Sequence, residues 1–143
     1  MDTVRHILQL KGKDVWSIRP DATVLDSLRM MDSKGVGALV VTQDNHLVGI
    51  ISERDYARKV ILKGKSSKDT LVSEIMTAHV ITVDPDQTLD ECMELMTTKS
   101  IRHLPVVDGE RVVGVISMRD VMAAIIHRQR EALRQTEPRT YGP

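Results

Sequence analysis

With 143 residues, 41% of them hydrophobic, the chain is long enough for one compact domain or two intimately packed half-domains. Twenty basic residues balance twenty acidic ones, and aromatics make up 2%, so both the basic field and the stacking platforms that nucleic-acid binding needs are missing. No segment reaches the ~20 apolar residues of a membrane span, the start lacks an apolar signal segment, and the lone Cys92 forbids an internal disulfide, which together predict a soluble cytoplasmic protein whose partners are neither nucleic acid nor membrane.

Val4, Ile7 and Leu8 predict a short leading helix before the turn Lys11-Gly12-Lys13-Asp14. Val15-Trp16-Ser17-Ile18 reads as a brief strand stopped by Pro20, and Thr23 caps a helix carrying Val24, Leu28 and Met31 that Gly35 closes. Residues 38–41 and 47–51 are two strands joined through Gln43-Asp44-Asn45-His46, and a helix with Tyr56, Val60 and Ile61 starts at Ser52. Polar Lys63-Gly64-Lys65-Ser66-Ser67-Lys68-Asp69 predicts a solvated linker, and residues 72–77 a short helical approach. Residues 80–83 form the next strand, and Thr88 with Glu91 makes a capping box for a helix buried through Leu89, Cys92, Met93 and Met96. Residues 101–107 and 111–116 form a second hairpin turning at Asp108-Gly109, a type I′ signal. The last helix carries Val121, Ala124 and Ile125, frays past Ile126 and gives way to a disordered tail.

A shift of 65 residues, which brings Asp55 onto Asp120, lays 15–61 on 80–126 without a gap. Pro20-Asp21-Ala22-Thr23 then falls on Pro85-Asp86-Gln87-Thr88, and Val48-Gly49 on Val113-Gly114. The chain is a duplicated β-α-β-β-α unit. Two copies are too few for a solenoid, and each is too small to bury a core comfortably alone, so each half is expected to complete the other's.

Both copies culminate in an apolar strand that runs into a helix, as Gly49-Ile50-Ile51-Ser52-Glu53-Arg54-Asp55 and as Gly114-Val115-Ile116-Ser117-Met118-Arg119-Asp120. The Ser and Asp form a capping box, which accounts for both residues structurally. With an Arg in the first helical turn, the same residues can also hold a phosphate, and both readings stand.

The repeated Gly-x-x-Ser-x-x-Asp, with Arg102-His103-Leu104-Pro105-Val106-Val107 on an inner strand, resembles the CBS-domain family from Lys13 to His127, and most of all the small free-standing bacterial proteins made of one CBS pair. The resemblance implies an α/β (α+β) fold of two tandem units packed sheet to sheet around a pseudo-twofold axis. Expected boundaries are 1–66 for the first unit with its leading helix, 67–128 for the second, and 129–143 for a polar tail. It also implies a homodimer and two clefts for adenosine-containing ligands. Carried over by motif, Asp55 and Asp120 would bind ribose hydroxyls, Ser52 and Ser117 would face the α-phosphate, and Ile50 and Val115 would lie against the ligand. Backbone groups of Val15 and Ser17 in one cleft, and of Val80 and Thr82 in the other, would hold adenine. Lys13, Arg54, Arg58, Thr77, Arg102, His103 and Arg119 would receive phosphates, and Pro105 would belong to the ligand-binding residues without a phosphate role. The counterparts of Arg102, His103 and Pro105 are Gly37, Ala38 and Val40, so the clefts are not chemically equivalent.

The function so implied is a regulatory module that binds an adenine nucleotide and signals through conformation or dimer packing to an unnamed protein target. AMP stands foremost, with ATP, NAD(H) and S-adenosylmethionine as alternatives. A dimerisation scaffold without a physiological nucleotide is the competing reading. No paired carboxylates, phosphate loop or nucleophile with a base argue for an enzyme, and His6, His46, His79, His103 and His127 lack metal-ligand spacing.

Overall fold

Capped amphipathic helices alternating with β-branched hairpins, written twice, produce two similar halves. The computed structural model describes residues 2–12 and 14–136. After α1 (Val4–Lys11), the first half places β1 (Ser17–Ile18) parallel to β2 (Ala38–Gln43), and β2 antiparallel to β3 (His46–Ser52). Helix α2 (Val24–Lys34) links β1 to β2, and α3 (Glu53–Tyr56) leaves β3 and continues as a π-helical turn over Ala57–Ile61. The short α4 (Val72–Ile75) leads to α5 (Leu89–Lys99), the antiparallel pair β4 (His103–Asp108) and β5 (Arg111–Ser117), and α6 (Met118–Thr136). The caps fall where the side chains dictate. Thr23 Oγ1 accepts from the Asp26 amide at 3.1 Å, Thr88 and Glu91 make a reciprocal box, and Gly35 closes α2 at a φ of 65°.

Each half is completed by the helix that precedes the other half in the chain. Val72 and Ile75 of α4 join Val24, Leu39, Val41, Ile51 and Val60 in the first core, whereas Val4, Ile7 and Leu8 of α1 join Leu89, Met96, Leu104, Ile116 and Val121 in the second. These three α1 side chains are at most 5% exposed, and burying each contributes about 1.5–3 kcal/mol. Equivalent backbone sites seat both helices. Pro85 and Gln87 carbonyls accept from Arg5 and Val4 at 2.8 and 2.9 Å, and Pro20 and Ala22 carbonyls accept from Ser73 and Val72 at 2.9 and 2.8 Å.

Three expectations require correction. Residues 80–83 form no strand; only Val83 bridges Val106 in parallel. In the first half the Val40 amide donates to the Trp16 carbonyl, but Pro105 at the matching position has no N–H, so that rung of the ladder is lost. The second hairpin turns over Gly109-Glu110, because Asp108 pairs with Arg111 and only Gly109 takes a positive φ. The paired positive φ values of a type I′ turn occur at Asp44 and Asn45 instead. The linker is the exposed loop expected, and two bonds tether it: Leu25 N–H donates to the Ser67 carbonyl at 2.9 Å and Thr70 Oγ1 to the Ser66 carbonyl at 2.7 Å. Finally, α6 runs on to Thr136, where a frayed end past Ile126 was expected; the expected disordered tail lies largely outside the described residues.

Candidate functional site

The two strand-to-helix junctions each open on a cleft. At the first, Ser52 N–H and Oγ both donate to Asp55 Oδ2, at 3.0 and 3.1 Å, and the Asp55 amide returns a bond to Ser52 Oγ at 3.2 Å. This box fixes the carboxylate so that its second oxygen, Oδ1, meets Lys59 Nζ at 3.1 Å and Thr77 Oγ1 at 3.4 Å. Lys59 also donates to the Ile75 carbonyl at 2.9 Å. Thr77 is positioned by a two-bond bridge to Ile50, with N–H···O distances of 2.9 and 3.0 Å. The cleft encloses about 510 Å³, within the range of small-molecule sites, and residues of the second half, Val80 and Ile101 to His103, form its far wall.

The second cleft, about 830 Å³, repeats the scheme with different details. Ser117 N–H donates to Asp120 Oδ2 at 2.8 Å and the Asp120 amide to Ser117 Oγ at 3.1 Å. Its cation is Lys11, from the end of α1, whose Nζ lies 2.7 Å from Asp120 Oδ2 and 2.8 Å from the Val115 carbonyl. Burial disfavours the Asp120 charge, but the hydrogen bonds from Lys11 and Ser117 outweigh it and hold the carboxyl below its ordinary value. Trp16, Gly37 and Ala38 of the first half close this cleft.

The sequence pattern of the CBS domain matches residues 4–62 and again 72–127. The chain belongs to the CBS-domain family. Of the curated relatives, it is 41% identical over 143 residues to the CBS domain-containing protein CBSX3, mitochondrial, of Arabidopsis thaliana, covering 93% of this chain and 69% of that one. A putative signal-transduction protein with CBS domains from Burkholderia ambifaria superposes with a TM-score of 0.86 at 46% identity, covering 89% of this chain and 96% of that one. The CBS domain pair of protein MJ0100, solved in complex with 5′-methylthioadenosine and S-adenosyl-L-methionine, superposes with a TM-score of 0.80 at 26% identity, covering 90% and 98%.

In this CBS pair, Ile50, Ser52, Arg54, Asp55, Arg58, Thr77, Val80, Arg102 and His103 gather around the Asp55 cleft. Val115, Ser117, Arg119 and Asp120 gather around the other, which Arg102 and His103 also border. Val15, Ser17, Thr82 and Pro105 line neither cleft, and Lys13 lies outside the described residues. From the two approach segments, Trp16 turns to one cleft, and His79 and Ile81 to the other. His103 stands between the clefts against the Gly37 backbone, where an added Cβ would lie 3.5 Å from Nε2. Burial and then Lys11 hold its imidazole below the ordinary value, with Arg102 adding to them and Asp120 opposing.

Sequence reasoning missed Lys11 and Lys59. The spacing of Asp55 and Lys59, four apart on a helix, was a readable signal. Nothing local could reveal Lys11, which reaches Asp120 across 109 positions. Cys92 is buried, and burial, with Glu91 beside it, pushes its thiol up to about 11, so it packs rather than reacts. Among the described residues no group of three or more His, Cys, Asp or Glu side chains could hold a metal, and no helix is long and apolar enough to cross a membrane.

Proposed function

We propose that this CBS pair is a regulatory module of the cytoplasm that binds an adenosine-containing nucleotide, AMP foremost, and passes occupancy on as a change in packing. The observation that carries the reading is the matched pair Asp55 and Asp120, each fixed at a cleft by its own serine box. An ionised carboxylate that accepts from both ribose hydroxyls supplies charge-assisted, two-point recognition of a ribonucleoside. Arg54 and Arg58 in one cleft, Arg119 in the other, and Arg102 between them supply phosphate donors. The MJ0100 pair, solved with two adenosine ligands, supports the class of ligand.

Because each cleft is walled by both halves, a bound nucleotide contacts both and favours one relative packing over another. A homodimer belongs to the same reading. Met122 and Ile126 stand exposed on one face of α6, beside Met118 and Ala123, and offer an apolar surface to a second copy.

Thermal unfolding with AMP and with its 2′,3′-dideoxy analogue tests the ribose contact. AMP at a hundredfold excess over its Kd should stabilise the fold by about 2.7 kcal/mol, and the analogue by far less. Equal stabilisation by both would remove the aspartates from ribose recognition.

A further inference from the structure

We propose that the two clefts divide adenosine ligands by the charge of the 5′ substituent. The Asp55 cleft takes a ligand with a phosphate chain, and the Asp120 cleft takes one whose 5′ substituent carries no negative charge. This rests on the adenosine-binding reading above and adds to it which ligand goes where.

The repeat makes the comparison position by position. The first-turn arginine is kept, as Arg54 and Arg119, but Arg58 and Lys59 of the first copy correspond to Ala123 and Ala124 of the second. On the opposite wall, His79 of the Asp55 cleft corresponds to Asp14 of the Asp120 cleft. With Lys11 taking the place of Lys59 on the cleft aspartate, the other two differences lower the positive charge of the same cleft. Around Asp55 the lining carries four cationic side chains, Arg54, Arg58, Lys59 and Arg102, against the carboxylates of Glu53 and Asp55. Around Asp120 it carries three, Lys11, Arg102 and Arg119, against three carboxylates, Asp14, Glu53 and Asp120.

Lysines do not alter this balance, since Lys59 and Lys11 each already sit on their own cleft's aspartate. The difference lies in Arg58, which makes no hydrogen bond or ion pair among the described residues, and in Asp14, which repels a phosphate. Trp16 adds a second distinction. It stands at the position of Ile81 and gives the Asp120 cleft an aromatic wall, one face of which Lys34 Nζ covers at 4.2 Å from the ring centroid. A ring quadrupole favours a neutral or cationic substituent over a phosphate.

Trp16 is the chain's single tryptophan and lines only the Asp120 cleft, so its fluorescence reports that cleft while calorimetry reports both. The full-length protein is titrated with ATP and with 5′-methylthioadenosine. The expected result is that 5′-methylthioadenosine changes Trp16 emission saturably, whereas ATP binds one per chain with no emission change over its tight phase. Arg58→Ala, an exposed substitution checked by thermal unfolding, should weaken ATP about tenfold or more and leave the 5′-methylthioadenosine isotherm unmoved. ATP altering Trp16 emission in step with its calorimetric saturation, or Arg58→Ala weakening both ligands alike, would overturn the division while leaving the adenosine reading intact. Binding of ATP without any binding of 5′-methylthioadenosine would do the same. Silence from both ligands would remove the adenosine reading and the division with it.

Discussion

Asp120 shows how much of a cleft's chemistry depends on one side chain. Its carboxylate caps α6 through Ser117, neutralises Lys11, and is the group assigned to the ribose in the function proposed above. A hydrogen bond to a charged group contributes about 1.5–3 kcal/mol, so Asp120→Ala should weaken adenosine binding in that cleft about tenfold or more. Calorimetry on the folded variant checks this, and an unchanged isotherm would take Asp120 out of the site. The Lys11 contact has its own pH signature. Because the folded carboxyl titrates below its ordinary value, the pair contributes stability above that value and loses it as pH falls through the depressed one. His103 acts at milder acidity. Its folded value lies below the ordinary 6.5, so the unfolded chain takes up protons first and stability falls as pH drops below about 6.5. Thermal unfolding of His103→Gln should show a smaller loss between neutral pH and pH 5; an identical loss would assign the effect to other groups.

At the scale of elements, the two small residues Gly49 and Gly114 show why β3 and β5 can lie under a helix or approach segment. A Cβ on Gly114 would collide with Leu8 Cδ2 of α1, and one on Gly49 would lie 2.6 Å from Met76 Sδ and 3.1 Å from the Thr77 carbonyl oxygen. Overpacking of this kind costs about 1–3 kcal/mol. Gly114→Ala should therefore lower the melting temperature by pushing on α1, and with it Lys11. Gly49→Ala should in addition weaken ligand binding at Asp55, because the Thr77 carbonyl has to give way. Equal effects of the two variants on the Asp55 cleft would contradict this.

These elements also show what a sequence can and cannot disclose. The serine boxes and the threonine caps were legible because each is a short-range pattern whose residues bond to neighbours three positions away, and the duplication because its two copies carry matching residues without a gap. The strand at residues 80–83 failed because its partner's missing donor, Pro105, lies more than twenty positions on and acts only through pairing. Alternation along the approach segments decides which side chain turns inward, and that Trp16 faces the Asp120 cleft depends on a register that only the packed sheet fixes. The crossing of α1 and α4 between halves was hidden too, since each has an apolar stripe that would suit either core.

For the whole molecule, the crossed helices mean that neither half is a closed unit, and a ligand in either cleft touches residues from both. A signal then requires only that the ligand prefer one packing of the halves over another. The proposed dimer would receive that change through α6, whose Met122 and Ile126 are 48% and 44% exposed. All of this depends on occupancy. The most direct test is titration calorimetry of the nucleotide-stripped protein with AMP, ATP, NADH and S-adenosylmethionine in turn. The account predicts saturable binding of one or more, at no more than two per chain, abolished when Asp55 and Asp120 are both replaced by Ala in a protein that still melts cooperatively. Silence from all four ligands would contradict it and leave the fold as a dimerisation scaffold.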